Sequence, residues 1–290
     1  MGLQQPPRLR RVGWRAMSAA GLLALTGCSA TTQDEWKRGA MPEGAADFSD
    51  SVISFWQWTW VAALVVGVMT WGLILFAVIY YRRRSDDEIP VQTRYNLPME
   101  LLYTVAPVIV VLVFFKFVID TASATPYDGK NESGDHNITV VGQQWSWTFN
   151  YLEDQALDGQ TSVYEVGTPA EVPTLYLPVG ESVRFELSSP DVIHSFWVPA
   201  FSYKLDVIPG RDNAFTMTPE REGTYAGKCA ELCGTYHSRM LFNVAVVSPE
   251  EYADHLAELE EQGNVGEPKG GSEVITQDGL DIDSETEGSE

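Results

Sequence analysis

Basic side chains are scarce: 19 Lys and Arg stand against 40 Asp and Glu in 290 residues, a formal charge of −21. Binding along a phosphate backbone depends on Lys and Arg displacing condensed counterions, so the chain is not a nucleic-acid binder. Cysteine is scarcer still. Three cysteines cannot build a disulfide scaffold. No Cys-x-x-Cys-His is present, so no haem is attached through thioethers. The tracts rich in Met and His that would suit a metal carrier are also missing. What remains is 44% hydrophobic, enough to exclude global disorder.

The first 30 residues carry four arginines and no acid. Arg8, Arg10, Arg11 and Arg15 precede a short apolar stretch, Met17 to Thr26, the pattern of a secretory signal too short to span a bilayer. It ends in Leu25-Thr26-Gly27-Cys28, which resembles the bacterial lipobox. Residues 1–27 are therefore expected to be removed and Cys28 to be acylated, with 28–50 an exported N-terminal segment.

Charge then disappears from Ser51 to Tyr81, a run of 31 positions. At ~1.5 Å per residue it outreaches the ~30 Å hydrocarbon core. Trp56, Trp58 and Trp60 at one end and Tyr80 and Tyr81 at the other suit interfacial belts. Leu101 to Ile119 forms a second apolar run, broken by Pro107 and carrying one charge, Lys116, close enough to its end to snorkel. Arg82-Arg83-Arg84 follows the first run directly, and the positive-inside rule puts that loop in the cytoplasm. The expectation is a two-pass protein of the bacterial cell membrane, a transmembrane hairpin over 51–119 with both flanking segments outside. The signal peptide requires the same topology.

From residue 120 the pattern changes to short β-type runs separated by Pro, Gly and Asp: His136 to Val141, Trp145 to Tyr151, Thr174 to Leu177, Ser182 to Leu187, Asn213 to Met217, Gly223 to Ala226 and Leu241 to Val247. Residues 120–248 are expected to form an all-β sandwich or barrel. Glu250 to Gln262 reads as a short amphipathic helix, and the rest of 249–290 as an acidic disordered tail. Residues 120–248 carry a formal charge of −10 and residues 249–290 one of −13.

The chemistry is concentrated in Cys229-Ala-Glu231-Leu-Cys233-Gly-Thr-Tyr-His237-Ser-Arg-Met240. Thiolate, imidazole and thioether together are the soft donor set that selects copper over harder ions. A second histidine, His194, lies upstream in Asp191-Val-Ile-His194-Ser-Phe-Trp197. A mononuclear blue-copper site would leave one thiolate over. Structural zinc and a disulfide are the competing readings, although Cys-x₃-Cys with a trailing Met does not match usual zinc spacing.

These two segments, the hairpin and Gln144-Trp145-Ser146-Trp147 together resemble subunit II of haem-copper cytochrome c oxidase across roughly residues 50–248. The resemblance implies a membrane-anchored cupredoxin-like Greek-key β-barrel holding the binuclear copper centre CuA. In that family pattern Cys229 and Cys233 bridge two coppers, His194 and His237 bind one each, Met240 is a weak ligand and Glu231 lends its backbone carbonyl. The Glu231 side chain matches a ligand to magnesium at the interface with subunit I. Trp145 matches the tryptophan where electrons from a c-type cytochrome enter, although the family often has Tyr where Ser146 stands. Glu100 matches a glutamate at the mouth of a proton path, and Asp206 and Arg211 match a segment packed near the metals.

The implied partners are subunits I and III, a separate c-type cytochrome, within a respiratory supercomplex or free, and the membrane. The implied activity is electron transfer to haem in subunit I for proton-pumping reduction of oxygen to water. A membrane-tethered copper carrier is the alternative. A quinol oxidase subunit would lack the copper ligands, and nitrous oxide reductase would lack the hairpin.

Overall fold

A computed structural model describes residues 30–85, 87–125 and 134–271. The signal segment, Cys28 and the residues after 271 lie outside the described residues. The chain divides into two units, 1–43 and 44–290. Within the first, helix α1 (Ala30–Lys37) carries an exposed Lys37–Asp34 ion pair one turn apart.

The second unit begins with α2 (Ser49–Tyr80) and α3 (Leu97–Ser123), both long and apolar enough to cross a membrane. Their side chains are exposed along almost the whole length, as lipid-facing surfaces require. Asn96 caps α3 by accepting from Met99 N, and Pro98 fills an early position that needs no donor. Lys116 pairs with Asp120 one turn on, so two opposite charges share the helix end. The start of α2 is tied to the β-domain: the Ser49 hydroxyl donates to Phe201 O and accepts from Ala46 N.

Among the described residues ten strands follow: β1 (His136–Gln143), β2 (Ser146–Tyr151), β3 (Val163–Val166), β4 (Thr174–Pro178), β5 (Val183–Ser188), β6 (His194–Val198), β7 (Tyr203–Val207), β8 (Asn213–Met217), β9 (Gly223–Cys229) and β10 (Leu241–Val247). They form two five-stranded sheets, ordered β3-β2-β1-β5-β8 and β4-β10-β9-β6-β7. The β1–β5 and β4–β10 pairs are parallel and the others antiparallel, so the chain crosses between sheets as a cupredoxin-like fold requires. Inward-facing aromatics fill the space between them: Phe196 stacks on Phe242, and Phe185 on Phe215, each at 4.8 Å.

The sequence pattern missed β3, β6 and β7. β3 and β7 are sheet edges with one fully buried residue each. Val163-Tyr-Glu-Val is too short and irregular to show an apolar alternation, whereas Tyr203-Lys-Leu-Asp-Val alternates apolar and charged residues, a period-2 signal that a search for apolar runs passes over. β6 is an internal, buried strand that His194 opens, and its five residues carry no polar alternation to mark them.

Helix α4 (Pro249–Glu261), capped by Ser248, buries Tyr252, Leu256 and Leu259 along one face. The chain does not leave the domain directly after it. Tyr164 N donates to Asn264 O, Asn150 Nδ2 to Pro268 O, and Gly271 N to Gln143 Oε1, so residues 264–271 form a strap across β3, β2 and β1. The expected disorder therefore does not begin at the end of the helix.

Candidate metal centre

Three neighbouring strands bring donors to one end of the sandwich. β6 starts at His194, β9 ends at Cys229, and β10 starts immediately after Met240. Their register is held by the Phe196–Cys229 pairing, by Ala230 N donating to Ser195 O and by Cys229 N donating to Met240 O, both at 3.0 Å. The β9–β10 connection, 230–240, supplies Cys233 and His237, and its short 3₁₀ turn, His237–Arg239, returns the chain to Met240.

His194, Cys229, Cys233 and Met240 are all buried, and His237 is half-buried. The donor atoms of His194, Cys229 and Cys233 lie within 4.8 Å of one another. Cys229 Sγ and Cys233 Sγ are 3.9 Å apart as free thiols, almost twice the ~2.05 Å of a disulfide bond. Cys233 Sγ is 3.5 Å from His237 Nδ1 and 3.7 Å from Met240 Sδ. Cys229 Sγ lies 3.2 Å from the Glu231 carbonyl oxygen. Each cysteine thus has its own histidine, His194 beside Cys229 and His237 beside Cys233.

Burial disfavours the Cys229 thiolate, but the His194 ring and the backbone at Glu231 and Ser195 outweigh it and bring this thiol down to about 7. Burial and the neighbouring Cys229 charge push Cys233 up to about 12. The first proton leaves easily and the second only when a cation replaces it. Burial opposes the charged form of His194, yet Asp191 holds its pKa above the usual imidazole value. Asp191 in turn lies below the usual carboxylate range, because His194 and two backbone N–H groups overcome its burial.

Trp145 is half-buried in the turn between β1 and β2. Its indole Nε1 donates to Cys233 O at 3.3 Å, and Gln144 Nε2 donates to the same oxygen at 2.6 Å. Tyr236 meets the Trp145 ring edge-on at 5.1 Å. Gly234 makes this contact possible: its φ is +126°, and a Cβ there would stand 3.0 Å from the Trp145 ring. Trp147 Nε1 donates to Met240 O from beneath, at 3.4 Å. A cleft of about 560 Å³ also reaches the centre, lined by Trp197, Lys204, Lys228, Cys229 and His237, with Lys228 4.6 Å above the Trp197 ring.

The remaining candidates lie elsewhere. The Glu231 side chain is exposed. Asp206 pairs with Ser195 across β6–β7, and Arg211 stands exposed in the following turn. Glu100 is far along the chain at the first turn of α3, where its carboxylate accepts from Asn96 N at 2.9 Å. Cys28 lies outside the described residues.

Residues 136–247 match the family model described as cytochrome C oxidase subunit II, periplasmic domain. A probable cytochrome c oxidase subunit 2 of Streptomyces avermitilis is 46% identical over 302 residues, covering 91% of this chain and 92% of the relative. The chain belongs to the cytochrome c oxidase subunit II family. The cytochrome c oxidase subunit 2 of Corynebacterium diphtheriae is 31% identical over 81% of both chains. Among solved structures, the periplasmic domain of subunit II of cytochrome oxidase from Bradyrhizobium japonicum is 29% identical, with a TM-score of 0.40, covering 45% of this chain and 97% of that one.

For this subunit II the donor set tests well against copper. His194 Nδ1 is buried without a hydrogen-bond partner, and a bound cation would satisfy it. Two sulfur ligands, two imidazoles and a thioether outnumber the four positions of tetrahedral zinc, and the thioether is a soft donor. Sequence reasoning missed Asp191 and Gln144. An Asp three residues before a ligating His is the available signal for the first, because such histidines commonly donate their other N–H to a carboxylate. The role of Gln144 depends on a contact 89 residues away and has no local signature.

Proposed function

We propose that the β-domain is the CuA domain of a respiratory cytochrome c oxidase. The carrying observation is the pair of unbridged sulfurs 3.9 Å apart, each with its own histidine. In this reading Cys229 and Cys233 hold both coppers, His194 and His237 bind one each, and Met240 and the Glu231 carbonyl complete the set. When bound, the copper would supply a one-electron store, and these side chains are the ones that would hold it. The protein holds the donors still: strand ends fix three of them, and Gln144 and Trp145 clamp the Cys233 carbonyl. Burial leaves the two sulfurs little exposed to water, Cys229 being reached from the cleft beside Trp197.

Trp145 lies at the surface with its ring nitrogen one hydrogen bond from Cys233, which supports its role as the point where electrons from a c-type cytochrome enter. They continue to haem in subunit I, where oxygen is reduced to water with proton pumping. Subunit III and a respiratory supercomplex are the wider setting. The exposed Glu231 carboxylate is open to a magnesium ion shared with subunit I. Glu100 stands at the cytoplasmic start of the second span, where a proton path would begin. Arg82-Arg83-Arg84 orients the hairpin with the copper domain on the outer face. Removal of the signal peptide and acylation of Cys28 anchor the mature N-terminus in the same membrane.

The test is EPR of the copper-loaded oxidase. One unpaired electron spread over two equivalent copper nuclei is expected, and a single-copper hyperfine pattern refutes the reading. Cys229→Ser should abolish the two-copper spectrum and oxidase turnover while membrane insertion persists.

A further inference from the structure

Asp191 joins two parts of the centre that are separate in the chain. Its Oδ2 accepts the backbone N–H of Gln144, 47 residues away, at 2.7 Å. Its Oδ1 lies 2.8 Å from His194 Nε2 and accepts the Val192 N–H at 2.5 Å. A carboxylate only accepts, so the proton on the His194 ring belongs on Nε2. That leaves Nδ1 as the bare lone pair, and Nδ1 is the buried atom without a hydrogen-bond partner. The other end of the same carboxylate holds the residue next to Trp145. The Gln144–Trp145 turn is therefore tied to the centre twice, through Cys233 O by two side chains and through Asp191 by the backbone.

We propose that Asp191 is a positioning residue with two functions: it fixes His194 as the Nε2–H tautomer that presents Nδ1 to copper, and it holds the Trp145 turn in register with that ring. This rests on the copper reading above. A hydrogen bond from an imidazole ligand to a carboxylate increases the donor strength of the ligand and favours the oxidised metal. Asparagine cannot replace it. The amide has one acceptor oxygen where two are used, and its NH₂ would face the N–H of either Gln144 or His194.

The experiment compares wild-type and Asp191→Asn oxidase, both isolated as the full complex. Copper retention against a chelator is expected to fall about 10- to 100-fold, the usual cost of losing a carboxylate behind a ligating histidine. The potential of the copper centre should shift upward, and kcat/KM for a reduced c-type cytochrome should fall at both low and high salt. If potential and copper retention are unmoved and the rate falls only at low salt, Asp191 is merely a surface charge and the proposal is overturned.

A measurement on the unsubstituted protein guards against a variant that does not fold. In deuterated buffer, pulsed EPR of the copper-loaded oxidase should find a slowly exchanging Nε2 proton on one histidine ligand and not on the other. Equal exchange on both overturns the proposal. Absence of a two-copper spectrum in the wild type would instead refute the copper reading itself.

Discussion

The C-terminal helix is latched to the sandwich by a buried ionic cluster, and removing one hydroxyl tests it. Asp154, with no exposed side-chain surface, accepts from His136 Nδ1 at 2.9 Å, from Ala156 N at 2.8 Å and from Tyr252 Oη at 2.7 Å. Glu181 takes the other His136 nitrogen at 2.6 Å. Tyr252→Phe keeps the ring in place and deletes one of three bonds to a buried carboxylate. A hydrogen bond to a charged group is worth about 1.5–3 kcal/mol. For a domain of this size that lowers the thermal midpoint by roughly 5–10 °C.

The pH dependence of stability has a defined sign. Burial opposes protonated His136, but Asp154 and Glu181 outweigh it and raise its pKa above 6.5. The stability His136 contributes is complete below pH 6.5 and is lost as pH rises through the folded value. Asp154 is lowered below 3.8: burial opposes this, and His136, Ala156 N and Tyr252 overcome it. Its contribution is complete above pH 3.8 and is lost as pH falls through the folded value. Thermal unfolding of the full chain in detergent, followed by near-ultraviolet circular dichroism from pH 3 to 9, reads both limbs. Tyr252→Phe should lower the midpoint near pH 6 and begin the acid-side loss at higher pH, because Asp154 loses one of the bonds that keep it ionised. Curves that superimpose on wild type would refute the latch.

Two further outcomes follow from the geometry. Gly227→Ala would place a Cβ 2.1 Å from the Phe242 ring, which is buried between the sheets, so the domain should lose about 3 kcal/mol or fail to fold, as chemical denaturation would show. Trp145→Phe removes the indole bond to the Cys233 carbonyl; oxidation of a c-type cytochrome should slow at least tenfold while the copper EPR spectrum stays as in wild type, and unchanged turnover would exclude Trp145 as the point of electron transfer.

The parts of this protein that were legible in the sequence are those whose chemistry is local. The twelve residues from Cys229 to Met240 hold most of the donors because one loop and two strand ends suffice to assemble them. The spans were legible because a bilayer excludes charge over a length the sequence displays directly. Asp191 carries no such mark: it looks like any loop acid until β6 is seen to begin at His194 and the β1–β2 turn to lie against it. The strap, 264–271, reads as a Gly-rich linker, and its hydrogen bonds to Tyr164, Ser162, Asn150 and Gln143 give it order. Edge strand β3 was hidden because Val163-Tyr-Glu-Val is too short to display a period, whereas β7 does alternate, as Tyr203-Lys-Leu-Asp-Val.

On the proposed copper reading, the arrangement of donors also explains why a β-sandwich suits one-electron chemistry better than a loop-built pocket would. A site that gains and loses an electron without changing shape must have ligands whose positions do not depend on the metal's charge. His194, Cys229 and Met240 satisfy this because their backbones are ladder hydrogen bonds of three adjacent strands, above Trp147, Phe196 and Phe242 packed within 6 Å of one another. Cys233 and His237 lie on a loop and need outside restraint, which Gln144 and Trp145 supply at the Cys233 carbonyl. On this reading Trp145 is both the point of electron entry and one of two donors to the Cys233 carbonyl, and the shorter Gln144 bond keeps that carbonyl in place when the indole bond is lost.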